Sequence, residues 1–434
     1  MVNDSMLSSN VMEKIVSLCK RRGFVYPGSE IYGGFQGFYD YGPLGAEMKN
    51  NLKRLWWKWM TVDHQDIVGI DGAIITHPKV WEASGHVKSF VDPLVECKKC
   101  HHRFKADDLT ENKCPDCGGE LTEPKNFNIL VPVEIGVIEG EKTKAYLRGE
   151  ACQTIYLDFK NVLNSNRLKI PFGICQIGKA FRNEVTPGNF LLRVREFEQW
   201  DLQWFCHPSE MEKWYEYWKE ERMNWFKSLF THPDKLSFFK HVKLAHYAKK
   251  AFDIEYSDSP CNIREIEGIH WRGDWDLSRH GEYSGQDLSY TDLETKENFI
   301  PNIVETSGGV DRTFLFLLID AYAEENERIV LHLNPKIAPY KVAVFPLLPN
   351  KPDLVKIARQ VFDTLRPVFH TAWDDRGNIG KRYFSQDEIG TPWCITADFQ
   401  TIDDNMVTVR DRDTTKQERI GIDKLKEYFQ NLLR

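Results

Sequence analysis

Between Arg182 and Asp201 the chain reads RNEVTPGNFLLRVREFEQWD. Thr186-Pro187-Gly188-Asn189 is turn chemistry, so the residues on either side read as the arms of a strand pair. One arm holds Arg182 and Glu184; on the other, Arg193, Arg195, Phe197, Gln199 and Asp201 recur at every second position. Successive strand side chains point to opposite faces, so those five share one surface. Cations, then a ring, then an amide and an acid suit a ligand that carries phosphates, a flat ring and an amine. A solvated hairpin face with scattered charge pairs is the plainer reading of the same residues.

ETSGGVDR, Glu305 to Arg312, supplies a second group. Glu305 and Ser307 share a strand face, while Gly308 and Gly309 lead into an apolar helix with Arg312 in its first turn. Backbone donors, the helix dipole and a guanidinium meet there, a setting in which anions bind well. Charge-assisted hydrogen bonds contribute about 1.5 to 3 kcal/mol each, enough in combination to hold a bent triphosphate. A third group is Cys97-Lys98-Lys99-Cys100 and Cys114-Pro115-Asp116-Cys117, with thirteen residues between the pairs. Two such knuckles close a tetrahedral thiolate site suited to Zn2+; with no open position left, that metal is structural, and free reduced thiols are the alternative. Cys19, Cys152, Cys175, Cys206, Cys261 and Cys394 read as small buried apolar residues.

The chain that must position these groups has 434 residues, 41% hydrophobic and 13% aromatic, enough for a large core. A net charge of -7 argues against binding nucleic acid by bulk charge, while leaving room for local basic patches. The opening residues lack a signal-like apolar run, and no later stretch is long and apolar enough to span a bilayer. A cytoplasmic protein without a membrane partner is expected. Pro43 to Met60 reads as an amphipathic helix with Leu44, Met48, Leu52, Leu55, Trp56 and Trp59 on one stripe. DIVGIDGAIITHP and AYLRGEACQTIYLDF read as strands, residues 208–252 as a helical block, and SGGVDRTFLFLLIDAYAEE as a buried helix. Beyond about residue 336 short strands alternate with helices, which predicts a small α/β unit with its own core.

The helix-strand-Pro of residues 43–78, the FRNE and REF blocks of residues 181–197, and GGVDR before an apolar helix resemble the three motifs of the class II aminoacyl-tRNA synthetases. More narrowly, IYGGFQGFYDYGPLGAEMKNNLKRLWW, HPKVWEASGH, PFGICQIGKAFRNEVTPGNF, IGKRYFSQDEIGTPWCIT and VTVRDRD are similar to the dimeric glycyl-tRNA synthetases. The resemblance implies an α+β fold: an antiparallel-sheet catalytic domain over residues 1–336, a zinc-binding insertion at 94–124, a helical insertion at about 208–252, and an α/β anticodon-binding domain over 337–434. It implies activation of glycine with ATP and Mg2+, transfer of the glycyl group to tRNA(Gly), and a homodimer.

Carried over by position, the resemblance makes Arg182 the α-phosphate ligand and Arg312 the γ-phosphate ligand, the two catalytic cations. Asn183, Glu184, Leu192, Arg193 and Arg195 fall in the nucleotide-contacting loop, Phe197 stacks on adenine, and Glu265, Ile266 and Gly309 complete the ATP and Mg2+ side. Glycine offers only an ammonium and a carboxylate, so acids must define its seat. Glu150, Asp201, Glu305 and Ser307 match the amine-binding positions, with Lys105, Phe197 and Gln199 beside them. The chain departs from the family pattern at Arg148-Gly149-Glu150-Ala151-Cys152-Gln153-Thr154, where Arg-Pro-Glu-Thr-Ala-Gln-Gly is usual. It has Asp201 for Glu, Thr306 for Pro and Lys105 for Arg. In the last hundred residues Arg376, Lys381, Arg382, Arg410 and Arg412 are candidates for tRNA contact, each with a salt bridge as the plainer reading. A synthetase for another small amino acid, or an inactive relative that only binds nucleic acid, are the competing functions.

Overall fold

A computed structural model describes residues 2–434 except 107, 108, 110, 139, 243, 245–247, 261, 262 and 326, and leaves aside the side chains of residues 2–10. Cys261 therefore lies outside the described residues. Seven strands form the central sheet, in the order Leu236–Lys240, Lys250–Tyr256, Glu265–Gly273, Asn302–Gly309, Glu196–Cys206, Phe172–Phe181 and Ile67–Gly69. Every neighbouring pair is antiparallel except the last, which is parallel.

Period-two alternation gives this sheet two different faces. From the strand Glu196–Cys206, Trp200, Leu202, Trp204 and Cys206 enter the main core, under the helices Pro43–Lys58, Met211–Lys227 and Val310–Ala321. The intervening Phe197, Gln199 and Asp201 face a cavity instead. A fully buried ion pair sits on the core side: Arg222 donates to Glu267 at 2.5 and 2.9 Å, and Trp200 Nε1 donates to Glu267 at 2.8 Å. Gly308 lies directly opposite Glu267 across the strand pair, and a Cβ there would come within 2.4 Å of Trp200 Nε1. Only glycine lets the strand run so close over that pair.

The antiparallel-sheet fold with a C-terminal α/β unit is as expected. In that unit five strands run in the order Thr371–Trp373, Val342–Pro346, Trp393–Ala397, Met406–Asp411 and Gln417–Gly421. Val344, Leu365, Ile395, Val409 and Phe429 belong to a core of its own.

Several elements differ from expectation. The helix from Pro43 ends at Lys58 and continues as one π-helical turn, Trp59–Asp63. DIVGIDGAIITHP is two short strands in different sheets, Ile67–Gly69 and Ile75–Thr76. AYLRGEACQTIYLDF changes from the strand Thr143–Leu147 to the helix Gln153–Leu157, whose residues Gln153 to Tyr156 are buried in succession rather than at every second position. Only the first half of 208–252 is helical. The helix stops at Lys227; Leu236–Lys240 is the edge strand of the central sheet, and Lys250–Tyr256, whose start falls in this block, is the strand next to it. The buried helix ends at Ala321, and Tyr322–Glu325 pairs as a strand with Arg328–Leu331.

Arg382, Arg410 and Arg412 are buried and internally engaged rather than presented to a nucleic acid. Arg410 forks onto Asp387 at 2.8 and 2.9 Å, and Arg412 donates to the carbonyls of Gly390 and Leu333. Arg328 also reaches Asp387, at 2.7 Å, so this one carboxylate ties the C-terminal unit to the strand Arg328–Leu331 of the hairpin after the buried helix. Arg376 is exposed and pairs with Asp374.

Candidate active site

The strands Glu196–Cys206, Asn302–Gly309 and Glu265–Gly273 floor a cavity of about 510 Å³. Glu150, Arg182, Glu184, Leu192, Arg193, Phe197, Gln199, Asp201, Glu265, Glu305, Ser307, Gly309, Arg312 and Lys105 all line it. The hairpin differs from its expected form. The second strand begins only at Glu196, so Arg193 sits on the loop before it, after the short turn Phe190–Leu192.

Three expected residues are absent from the lining. Arg195 turns away: its guanidinium donates to Glu184 O at 3.0 and 3.2 Å and to Gln36 O at 3.1 Å. Its amide donates to Gly37 O at 2.8 Å, and Gln36 Nε2 donates to Pro187 O at 3.1 Å. The charge of Arg195 thus binds residues 36–37 to the loop instead of facing a ligand. Ile266 is core, and the Asn183 amide donates to Ile129 O at 2.7 Å.

Arg312 and Glu265 meet at one end. Arg312 Nη1 donates to the Glu265 carboxylate at 3.0 Å and to its carbonyl at 3.1 Å. Glu265 reaches the cavity through an irregularity in pairing: Ile254 faces Glu267 and Glu255 faces Glu265, so Ile266 is an extra residue. Such a bulge re-aims the side chain beside it. Next to Arg312, Asp311 accepts from Tyr41, from Lys49 Nζ at 2.6 Å and from the Glu198 amide at 2.6 Å, anchoring the start of the helix. At the other side of the cavity Arg182 donates Nε to Gly149 O at 3.0 Å. Burial, partly offset by Arg182, raises the carboxyl of Glu184.

Between these cations lies an acidic recess. Glu150 accepts from Gln153 at 2.9 Å, from the Cys152 thiol at 3.0 Å, and faces His86 Nε2 at 3.1 Å. Burial opposes its ionisation, but the His86 charge and hydrogen bond hold its carboxyl well below the usual range. Asp201 accepts from Gln203 at 2.6 Å and from Ser307 Oγ at 3.1 Å, and Ser307 Oγ in turn accepts from Gln199 at 3.0 Å. Glu305 is saturated: Gln203, Arg272 and His270 donate to it at 2.9, 3.0 and 2.8 Å.

Two carboxyls this close divide one proton unequally. Burial disfavours charge on both. Arg272 and His270 nevertheless bring Glu305 down to about 2, while burial and the charges of Glu305 and Glu150 push Asp201 well above its usual range. Of the three acids in the recess, Glu150 and Glu305 are thus held as carboxylates more strongly than Asp201, and the set is arranged to receive a small cation.

His270, Arg272, His241, Asp253, Asp92 and Phe90 complete the surroundings and were not foreseen. For His270 and Arg272 a signal existed: with Gly268 they alternate along Glu265–Gly273 and share a face. Nothing in the sequence announces Phe90. Cys152 is buried as expected, but on the wall of the cavity rather than in plain core.

Lys105 pairs with Asp92 at 2.6 Å. Both come from the arm that carries the cysteine quartet, where Asp92 lies on the strand Val91–Glu96. The sulfurs of Cys97 and Cys117 are 3.5 Å apart, those of Cys100 and Cys114 are 3.6 Å apart, and all four lie within 4.8 Å of one another. Four sulfurs bound at 2.3 Å to one tetrahedral ion stand about 3.8 Å apart. The donor set and spacing fit a zinc ion.

Residues 135–322 match the tRNA synthetase class II core domain (G, H, P, S and T), and residues 341–432 match an anticodon binding domain. A glycine-tRNA ligase of Borrelia garinii is 50% identical over 432 residues, covering 96% of each chain. One from Treponema denticola is 50% identical over 426 residues, with 94% of each chain covered. One from Thermobifida fusca is 48% identical over 452 residues, covering 97% of this chain and 98% of the other. Among solved structures, prolyl-tRNA synthetase from Cryptosporidium parvum, complexed with L-proline and AMP, superposes with a TM-score of 0.63. It covers 96% of this chain and 74% of its own at 15% identity, a likeness of fold.

Proposed function

The chain belongs to the glycine-tRNA ligases, class II aminoacyl-tRNA synthetases that use ATP to attach glycine to tRNA(Gly), and from that premise we propose how its cavity divides among the substrates. Adenine stacks on Phe197, with Leu192 and Arg193 at its edge. Arg182 holds the α-phosphate, and Arg312, beside Gly309 and Glu265, holds the bent γ-phosphate. The ammonium of glycine sits between Glu150 and Asp201, with Ser307 and Gln199 alongside and Lys105 nearby. Glu305, already engaged by Arg272, His270 and Gln203, acts from behind by holding the recess negative. What carries this reading is the convergence of Arg182, Phe197 and Arg312 with Glu150 and Asp201 on one cavity.

The chemistry needs no side-chain nucleophile. A carboxylate oxygen of glycine attacks the α-phosphorus in line, the bond to the bridging oxygen breaks, and pyrophosphate leaves glycyl-adenylate behind. The terminal hydroxyl of tRNA(Gly) then attacks the glycyl carbonyl, loses its proton, and AMP departs. Arg182 and Arg312 stabilise the charge that develops on the phosphoryl oxygens. The Glu265 carboxylate would offer an oxygen ligand to Mg2+, which, bound with ATP, would supply further charge neutralisation. Zn2+ in the Cys97, Cys100, Cys114 and Cys117 set, residues 1–336 as the catalytic domain, 337–434 as the anticodon-binding domain, a homodimer and cytoplasmic residence complete the proposal. No helix of the described residues is long and apolar enough to cross a membrane.

Exchange of pyrophosphate into ATP tests the assignment. Arg182→Ala abolishes glycine-dependent exchange, and the wild type shows no comparable exchange with alanine, serine or proline. Exchange retained in the variant, or supported equally by alanine, contradicts it.

A further inference from the structure

The Arg182 guanidinium lies between two rings. Its carbon is 5.0 Å from the centroid of Phe90 and 5.3 Å from that of Phe197. Nε is fixed by Gly149 O, while neither terminal nitrogen has a hydrogen-bond partner among the described residues. Orientation of those two donors is therefore left to the rings. A guanidinium is planar, so stacking on a ring face fixes its plane, and the attraction grows where water is excluded.

Phe90 is held firmly enough to serve. Its amide donates to His86 O at 3.0 Å, and its carbonyl accepts from Ile129 N at 3.1 Å; Ile129 O accepts in turn from the amide of Asn183, the neighbour of Arg182. The His86 ring packs edge-on against Phe90 at 5.1 Å, and His86 Nε2 reaches Glu150. Phe90 thus borders the cation at the phosphate side and, through the His86 ring packed against it, is linked to the acid at the amine side. We propose that Phe90 is a positioning residue for adenylate formation: it keeps the Arg182 guanidinium flat against Phe197, so that both terminal donors meet the α-phosphate in the transition state. The proposal rests on Arg182 being the α-phosphate ligand.

A double-mutant cycle in pyrophosphate exchange, with Phe90→Leu, Phe90→Tyr, Arg182→Lys and the Phe90→Leu/Arg182→Lys pair, tests it. Leucine keeps bulk but has no ring face, and kcat is expected to fall about tenfold with KM for ATP and glycine nearly unchanged. Tyrosine restores kcat to within about twofold of wild type, since it offers the same face. In the Arg182→Lys background, whose cation is a point charge with no plane to fix, Phe90→Leu costs about twofold or less. Equal costs in both backgrounds, an unchanged kcat in Phe90→Leu, or no rescue by tyrosine overturns the proposal. Should the leucine variant not fold, Phe90→Met repeats the measurement. Full exchange by Arg182→Ala would refute the reading of Arg182 itself, whereas an inactive Arg182→Ala beside a fully active Phe90→Leu refutes only the role of Phe90.

Discussion

Asp201 is the residue whose chemistry depends most on its neighbours. Buried beside Glu305 and Glu150, and held by Gln203 and Ser307 with no cationic hydrogen-bond donor among the described residues, it stays protonated above the usual carboxylate range. Arg272 and His270 face Glu305 instead, and His86 faces Glu150. An arriving ammonium favours the ionised form, so binding releases a proton wherever free Asp201 is protonated and bound Asp201 is not. The sign follows: glycine affinity rises with pH up to the raised value of the free enzyme, and KM for glycine falls by as much as about tenfold per pH unit there. In Asp201→Asn that dependence disappears and KM is high throughout; a flat wild-type profile from acid to neutral pH contradicts this. Asp201, Ser307 and Arg312 were legible from residue type and spacing because each stands at a regular position on its own element, whereas Glu150, on the link between the strand Thr143–Leu147 and the helix Gln153–Leu157, was reached only through the family resemblance. Arg195 was misread because its alternation with Phe197 holds only inside a strand, and the strand starts one residue later. His270 and Glu305 show the opposite limit, since their 2.8 Å contact joins two strands that the sequence separates by more than thirty residues.

Among the elements, the arm from Val91 to Asn128 joins the cysteine quartet to the cavity. Its strand Val91–Glu96 begins beside Phe90, carries Asp92 into the lining and ends against Cys97. The backbone amide of Cys100, and after it that of Lys99, lower the Cys97 thiol to about 6, a donor ready for metal near neutrality. Mass measurement under non-denaturing conditions is expected to give one zinc per chain. Chelation, or Cys97→Ser, is expected to lower glycine-dependent exchange by loosening Phe90, Asp92 and Lys105 together; full activity in demonstrably metal-free protein would contradict that coupling. The quartet was readable because paired Cys-x-x-Cys knuckles constrain geometry locally. The bulge at Ile266 was not: which residue of Glu265-Ile266-Glu267 is squeezed out is decided by the neighbouring strand, where Ile254 and Glu255 face Glu267 and Glu265. The strands at 236–240 and 250–256 were hidden for a related reason, as they complete a sheet begun far away in the chain.

On the scale of the whole molecule, Asp387 is the shared anchor between the C-terminal unit and the rest. It is fully buried and accepts from Arg410 on its own side and from Arg328 across the junction. Asp387→Ala leaves the buried Arg410 guanidinium without its carboxylate, while Arg328 keeps Glu325 and the Arg412 carbonyl, and is expected to cost about 3 to 5 kcal/mol. Calorimetry should show an early transition of the C-terminal unit. Glycylation of tRNA should fall more than pyrophosphate exchange, because every cavity residue precedes the junction. Equal losses in the two assays would argue against that separation. The α/β texture beyond residue 336 was evident from its alternating strands and helices, but the burial of Arg382, Arg410 and Arg412 was not, since an arginine's sequence neighbours do not say which carboxylate or carbonyl will enclose it. A last consequence follows from Arg195. Because its guanidinium clasps Glu184 O and Gln36 O while Gln36 grips Pro187 O, the stretch around Gln36 and the turn at Pro187 are buttoned together. Removing the Arg195 side chain unfastens both segments at once, at no cost to the cations and acids that line the cavity.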